Sequence, residues 1–87
     1  MERATSWTTM IYIDEHEGQT RARARLTTSD TELTGLGTAR CRPGETDVPE
    51  IGDELAVARA LADLAHQLLE LSAADLETVG RSSRAVT

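Results

Sequence analysis

The stretch VPEIGDELAVARALADLAHQLLEL at residues 48–71 decides the fold, because it is the one long segment with helical periodicity and no breaker in its interior. Pro49 suits the first turn of a helix, where an amide would lack a partner. The pattern predicts a helix from about Glu50 to about Leu71 with an apolar arc of about 200°. Apolar side chains recur at spacings of three and four, namely Ile51, Leu55, Ala58, Leu61, Ala62, Ala65, Leu68 and Leu69.

Three segments before this helix alternate between two kinds of side chain, as strands do. They cover residues 7–14, 19–27 and 31–42. A turn centred on His16-Glu17 pairs Ile13 with Thr20, and a turn on Ser29-Asp30 pairs Leu26 with Leu33. Both registers collect the apolar and small residues on one face, so the sequence predicts a three-stranded antiparallel meander.

Two glycines of the third segment, Gly35 and Gly37, fall beside Ala24 and Ala22 in this register. Four residues with little or no side chain give the sheet a shallow central patch, where a helix can approach closely. We expect the long helix to lie on that patch, with the larger apolar residues closing one end of the core. These are Trp7, Leu26 and Leu33.

The predicted fold is therefore α+β, a β-meander packed on one long helix, in a single domain over residues 1–87 with an ordered core at about 6–80 and frayed termini. The sequence after Ser72 predicts a second, short helix that carries Leu76 and Val79 and stops at Gly80. The apolar arc of the long helix exceeds what one small sheet covers, and Phe is absent from the core. We expect a homodimer that buries Val57, Leu64 or Leu71.

Composition argues against a disulfide-bonded secreted protein and against a membrane-spanning protein. The net charge is −6, and the acidic excess lies in residues 43–80, where nine acids face one Arg. Cys41 is the single cysteine, so an intramolecular disulfide is excluded and a reducing cytoplasm is expected. No apolar run reaches membrane-spanning length.

Three groups of residues could carry chemistry, and each also has a purely structural interpretation. The cluster at residues 14–17, DEHE, offers metal ligands, but adjacent strand residues point to opposite faces. His66 is an i,i+4 neighbour of Glu70 with no nucleophile beside it, and Cys41 is expected to be an inert core residue. We therefore expect no enzyme activity, no catalytic, cofactor or metal site and no small-molecule substrate.

The predicted sheet face away from the helix is the best candidate for function. Arg21, Arg23 and Arg25 project there together, joined by Arg40, with Tyr12 opposite Arg21. Arg beside flat and apolar side chains suits phosphate and base contacts. It equally suits a protein interface, or a solvated face whose Arg stems cover apolar neighbours. Residue chemistry leaves the three interpretations open.

Four stretches carry a family resemblance: IDEHEG at 13–18, TRARARL at 20–26, ELTGLGTAR at 32–40 and VPEIGDELAVARALADL at 48–64. The chain resembles a small actinobacterial domain-of-unknown-function family with a fold like that of double-stranded-RNA-binding domains. One dormancy-induced mycobacterial member has been likened by shape to ribosome hibernation promoting factors. The resemblance implies a β-β-β-α-α layout, a dimer and a non-enzymatic role in stress or dormancy with the ribosome as partner. The alternative is a dimeric protein–protein interaction module that binds no RNA.

Overall fold

A computed structural model describes residues 2–41 and 48–86, with side chains to Gly80. Three strands precede one helix along the chain: β1 (Thr8–His16), β2 (Gln19–Thr27), β3 (Glu32–Arg40) and α1 (Pro49–Val86). The strands form an antiparallel sheet in the order β1-β2-β3, and α1 packs on one face of it. The predicted α+β meander on a long helix is confirmed. Residue 42, predicted to end the third strand, lies outside the described residues.

The hairpin between β2 and β3 has the predicted register, in which Leu26 pairs with Leu33. The hairpin between β1 and β2 was predicted wrongly by two residues, since Ile13 pairs with Ala22 and not with Thr20. The turn residues are Glu17 and Gly18, both with positive φ (52° and 76°), as a tight two-residue hairpin turn requires. A shift of two keeps every side chain on its predicted face.

The close approach of α1 to β3 explains why Gly35 and Gly37 have no side chain. A methyl group added at Gly35 would collide with the backbone of Ala60 and Leu64, and one added at Gly37 with the backbone of Ala56. Side chains of any size at these two positions would push the helix away from the sheet. The predicted shallow patch is therefore where the helix lies.

The buried stripe of α1 consists of Ala56, Ala60 and Leu64, which pack against Ala22 and Ala24 of β2. The sequence instead placed the bulky apolar residues of α1 in a wide apolar arc of about 200°. Most of these are exposed: Ile51, Leu55, Leu61 and Leu69. A flat patch of glycine and alanine selects small helical residues, because only these allow the two backbones to approach.

Two further expectations were wrong. Trp7 precedes β1 and is 54% exposed, so it does not close the core. The predicted second helix is not a separate element, since α1 continues to Val86. The hydroxyl of Ser72, expected to cap that helix, donates instead to the carbonyl of Leu68 one turn back.

Candidate interaction face

The face of the sheet opposite α1, here called the outer face, carries the Arg residues singled out by the sequence. Strand β2 alternates strictly, with exposed Arg21, Arg23 and Arg25 between buried residues of the core. Since successive strand residues point to opposite faces, burial of Ala22 and Ala24 against α1 fixes all three Arg on the outer face.

The middle row of the outer face brings a ring, a guanidinium and an aliphatic side chain together. Tyr12 pairs across the sheet with Arg23, and Arg23 pairs with Leu36. The two-residue shift of the first hairpin moves Tyr12 from its predicted neighbour, Arg21, to Arg23.

The Tyr12 ring attracts two of the Arg side chains. The guanidinium carbon of Arg23 lies 5.4 Å from the ring centroid, and that of Arg25 lies 5.7 Å from it. Cations at this distance are attracted to the negative face of an aromatic ring. Tyr12 and the two Arg residues thus form one flat, cationic cluster on the outer face.

Two carboxylates reduce the positive charge of the same face. Arg21 Nε donates to Asp14 Oδ1 at 3.2 Å, and Arg25 Nε lies 3.7 Å from Glu32 Oε1. All four side chains are about half exposed or more, and exposed pairs of this kind contribute at most about 1 kcal/mol. A phosphate or carboxylate ligand therefore competes for these guanidinium groups at small cost.

Arg40 extends the face toward the β1–β2 turn. It pairs with Gln19, which in turn pairs with His16, so Arg40 shares a row with two polar residues. Its side chain is exposed, two rows away from the Tyr12 cluster. All five residues proposed from the sequence therefore lie on one face, with Arg40 at its end.

The other residues considered as metal ligands or catalytic groups are those at 14–17, His66 and Cys41. Within the described residues, no three His, Cys, Asp or Glu side chains lie close enough to hold a metal ion. His66 Nε2 lies 2.5 Å from Glu70 Oε1 on the exposed side of α1, as the i,i+4 spacing predicts. Cys41 is half-buried beyond the end of β3. In the described part of the chain, no helix is long and apolar enough to cross a membrane.

The free edge of β3 is covered by a row of polar side chains from α1. Asp63 Oδ2 accepts the Leu36 amide at 2.8 Å. Arg59 donates to the Thr38 carbonyl at 2.7 Å, and Gln67 donates to the Thr34 carbonyl at 2.8 Å. The signal that identifies this row is the spacing of four between its members, next to the small residues of the buried stripe.

The three residues predicted to contact a second copy occupy different environments. Leu64 is buried against Gly35 in the core of its own chain, and Val57 is half-buried. Leu71 lies on α1 past the last residue that packs against the core, Leu68, and is exposed. Leu64 is thus occupied within the chain, whereas Val57 and Leu71 retain accessible surface.

Comparison with known proteins places this architecture in a family. The model of the Rv2632c-like family matches residues 5–85, nearly the whole chain. The chain belongs to that family. The relatives are mycobacterial, in line with the actinobacterial resemblance of the sequence.

Two relatives and one solved structure document the similarity. The chain is 58% identical over 73 residues to the uncharacterized protein MT1780 of Mycobacterium tuberculosis (strain CDC 1551 / Oshkosh), covering 84% of this chain and 78% of the relative. It is 49% identical over 67 residues to the uncharacterized protein Rv2632c of Mycobacterium tuberculosis (strain ATCC 25618 / H37Rv), covering 77% and 72%. The crystal structure of Rv2632c superposes with a TM-score of 0.83 at 42% identity, covering 90% of this chain and 93% of that one.

Proposed function

We propose that this chain is a non-enzymatic, cytoplasmic stress or dormancy protein that associates with the ribosome through its outer face, in the manner of a hibernation factor. The observation that carries the proposal is the Tyr12 cluster, in which Arg23 and Arg25 lie over one exposed ring. Exposed aromatic rings stack on unpaired bases, and Arg binds the adjacent phosphates. Double-stranded-RNA-binding domains, the fold class suggested by the family resemblance, likewise bind RNA.

The sheet and the helix differ in charge, and this difference supports RNA binding by the outer face of the sheet. The outer face carries four Arg against Asp14 and Glu32, whereas the first turns of α1 carry Glu50, Asp53 and Glu54. A polyanion is therefore repelled by the helix layer and attracted by the outer face. This polarity makes the sheet, and not the helix, the RNA-binding layer of the proposal.

Co-sedimentation with ribosomes from a stationary-phase lysate tests the proposal. We expect the wild type to pellet with ribosomes at low salt, and the Arg21→Ala/Arg23→Ala/Arg25→Ala variant to stay in the supernatant. If three or four phosphates of unpaired RNA are bound, affinity falls roughly 20- to 50-fold between about 50 and 200 mM salt, because counterions are released. Wild-type protein that remains in the supernatant at low salt contradicts ribosome association.

The charge-conserving variant Arg21→Lys/Arg23→Lys/Arg25→Lys is the matched control. Lys retains the charge but loses the planar fork and the stacking surface of Arg. Partial retention of the Lys variant in the pellet, together with full loss of the Ala variant, indicates binding to phosphate. Equal pelleting of the Ala variant and the wild type excludes the outer face as the cause.

The second candidate function is a dimeric protein–protein interaction module without RNA. The exposed apolar side chains Met10 and Leu36 beside the Arg row favour it, as do the carboxylates of Asp14 and Glu32, which oppose phosphate binding. Interfaces between proteins are enriched in Tyr, Met and Arg. Pelleting that survives ribonuclease treatment or high salt supports this function over the first.

A further inference from the structure

The inner face of β1, which lies on the same side of the sheet as α1, is largely exposed. Ile11 and Ile13 are 38% and 45% exposed, whereas their partners across the sheet, Ala24 and Ala22, are buried. The cause is the position of α1, which packs mainly on β3 and β2. A groove therefore runs between β1 and the flank of α1. We call it the β1 groove, and it is lined by Ile13, Asp53, Glu54, Val57, Ala58 and Leu61.

The backbone of β1 also offers hydrogen-bonding groups along this groove. In an antiparallel pair, every second residue turns its amide and carbonyl away from the neighbouring strand. Counted from the two-residue turn, these residues in β1 are Thr9, Ile11, Ile13 and Glu15. Within the described part of the chain, no hydrogen bond reaches their outward groups. Such an edge is where a further strand can be added to a sheet.

Three carboxylates lie at the end of the β1 groove that is nearest the start of α1. Asp53 and Glu54 line the groove on the helix side. Glu15 projects from β1 on the same face as Ile13 and lies near Gly52. Among the described residues, no cationic side chain forms an ion pair with any of the three. The groove thus combines apolar walls with one end of uncompensated negative charge.

We propose that the β1 groove binds an extended segment of a partner protein, which adds to β1 as a fourth, antiparallel strand. Side chains at alternate positions of that strand share one face, so those opposite Glu15, Ile13 and Ile11 all point toward α1. The first is basic and meets the three carboxylates, and the next two are apolar. The outer face is not involved, so this inference does not rest on ribosome binding.

An extended segment fits the β1 groove better than a helix does. A helix satisfies its backbone amides and carbonyls internally, so it would leave the edge of β1 unpaired. An added strand lies about 4.8 Å from β1, pairs with its outward groups and directs alternate side chains into the groove.

Charge separates a basic partner segment from a second copy of β1. The inner face of β1 carries Glu15 and no cationic residue. Two paired β1 strands would therefore add a carboxylate to each groove and supply no countercharge. An Arg or Lys of a different protein at this position is complementary to the acidic end, which favours correct register and orientation.

Titration with synthetic peptides, followed by amide exchange, tests the proposal. The probe Thr-Arg-Thr-Val-Thr-Val-Thr-Thr places Arg and both Val side chains on one face. One control, Thr-Arg-Val-Thr-Val-Thr-Thr-Thr, has the same composition but puts Arg and Val on opposite faces, and a second replaces Arg by Glu. We expect the probe to slow exchange at the amides of Ile11 and Ile13. Each control should bind about fivefold more weakly, the factor expected for the loss of one exposed ion pair.

Three results of this titration would overturn the proposal. They are no binding of the probe at millimolar concentration, equal affinity for the probe and both controls, and slow exchange at Ile11 and Ile13 before any peptide is added. The last result would show that another copy of the chain already occupies the edge of β1.

Substitutions on the two faces of β1 distinguish the groove from the outer face. Ile13→Thr shortens an exposed apolar side chain outside the core and retains the β-branching that suits a strand. We expect it to weaken binding of the probe roughly tenfold, because apolar burial is lost. Met10→Thr, at a residue 52% exposed on the outer face of the same strand, is the matched control and should bind like wild type. Equal weakening by both substitutions contradicts binding in the groove.

Removal of the three carboxylates tests the acidic end. Glu15→Gln/Asp53→Asn/Glu54→Gln should bind the Arg probe and its Glu control with equal affinity, because the charges that distinguish them are gone. A preference for Arg as strong as in wild type contradicts the assignment. The outer face is unchanged in this variant, so peptide binding and ribosome co-sedimentation are measured independently.

Discussion

The two edges of this three-stranded sheet differ in how completely the chain covers them. Along β3, side chains from α1 bond to the outward backbone groups of Thr34, Leu36 and Thr38. Along β1, every residue is exposed. Proteins protect exposed strand edges because these pair readily with other chains. The difference shows that side chains of α1 cover the edge of β3, whereas β1 stays exposed along its whole length.

The packing of α1 also differs between the β3 side and the β1 side of the sheet. On the β3 side, Gly35 and Gly37 bring α1 into backbone contact with the sheet. On the β1 side, Ile11 and Ile13 stay exposed on the face that α1 covers elsewhere. Stability of the isolated chain should therefore depend on small residues of β3 far more than on large residues of β1.

The largest expected effect follows from replacing the glycine under the helix. Gly37→Ala forces a methyl group into the backbone of Ala56 and Ala60 and should lower the free energy of unfolding by about 3 kcal/mol, measured by chemical denaturation. Gly80→Ala is the control, because a Cβ there meets nothing within 4 Å. It should raise stability by about 0.5–1 kcal/mol, since glycine is a poor helix former. Equal effects of the two substitutions would contradict the close packing of α1 on β3.

A smaller effect is expected from opening the β3 edge. Asp63→Ala removes the acceptor of the Leu36 amide and should cost about 1 kcal/mol, since the bond is exposed to solvent. Asp63→Asn keeps an acceptor oxygen and should lose less. The β3 edge of Asp63→Ala would then resemble β1, with faster amide exchange at Leu36. An unchanged exchange rate at Leu36 in Asp63→Ala would show that Asp63 does not protect this edge.

Much of this architecture could be predicted from the sequence, since alternation in β2 fixed both faces of the sheet. The β2–β3 register and the Gly35–Gly37 patch followed from pairing small residues with small residues. The β1–β2 register could not be predicted with the same accuracy, because Glu17 adopts a left-handed conformation that is uncommon for a non-glycine residue. The wide apolar arc did not indicate which side of α1 lies on the sheet, because hydrophobicity ranks leucine above alanine, whereas the flat patch selects Ala56 and Ala60.

The sequence predicted which residues form the candidate site but not which of them contact each other. Side-chain parity alone placed Arg21, Arg23, Arg25, Arg40 and Tyr12 on one face. The contacts of Tyr12 with Arg23 and Arg25 depend on the register of the first hairpin, so the sequence assigned Tyr12 the wrong neighbour. The bonds that cover the β3 edge depend on how the helix is rotated about its axis, which the wide apolar arc leaves undetermined.

Amide exchange at the two edges tests the central comparison most directly. Backbone groups of an antiparallel edge strand alternate between its partner and solvent. Counting from the two-residue turn, the outward amides of β1 include those of Ile11 and Ile13, and the outward amide of Leu36 in β3 has a side-chain acceptor. The covered β3 edge and the exposed β1 edge predict slow exchange at Leu36 and fast exchange at Ile11 and Ile13. Exchange at Ile11 and Ile13 as slow as at Leu36 would contradict this account and indicate that two copies join through their β1 strands.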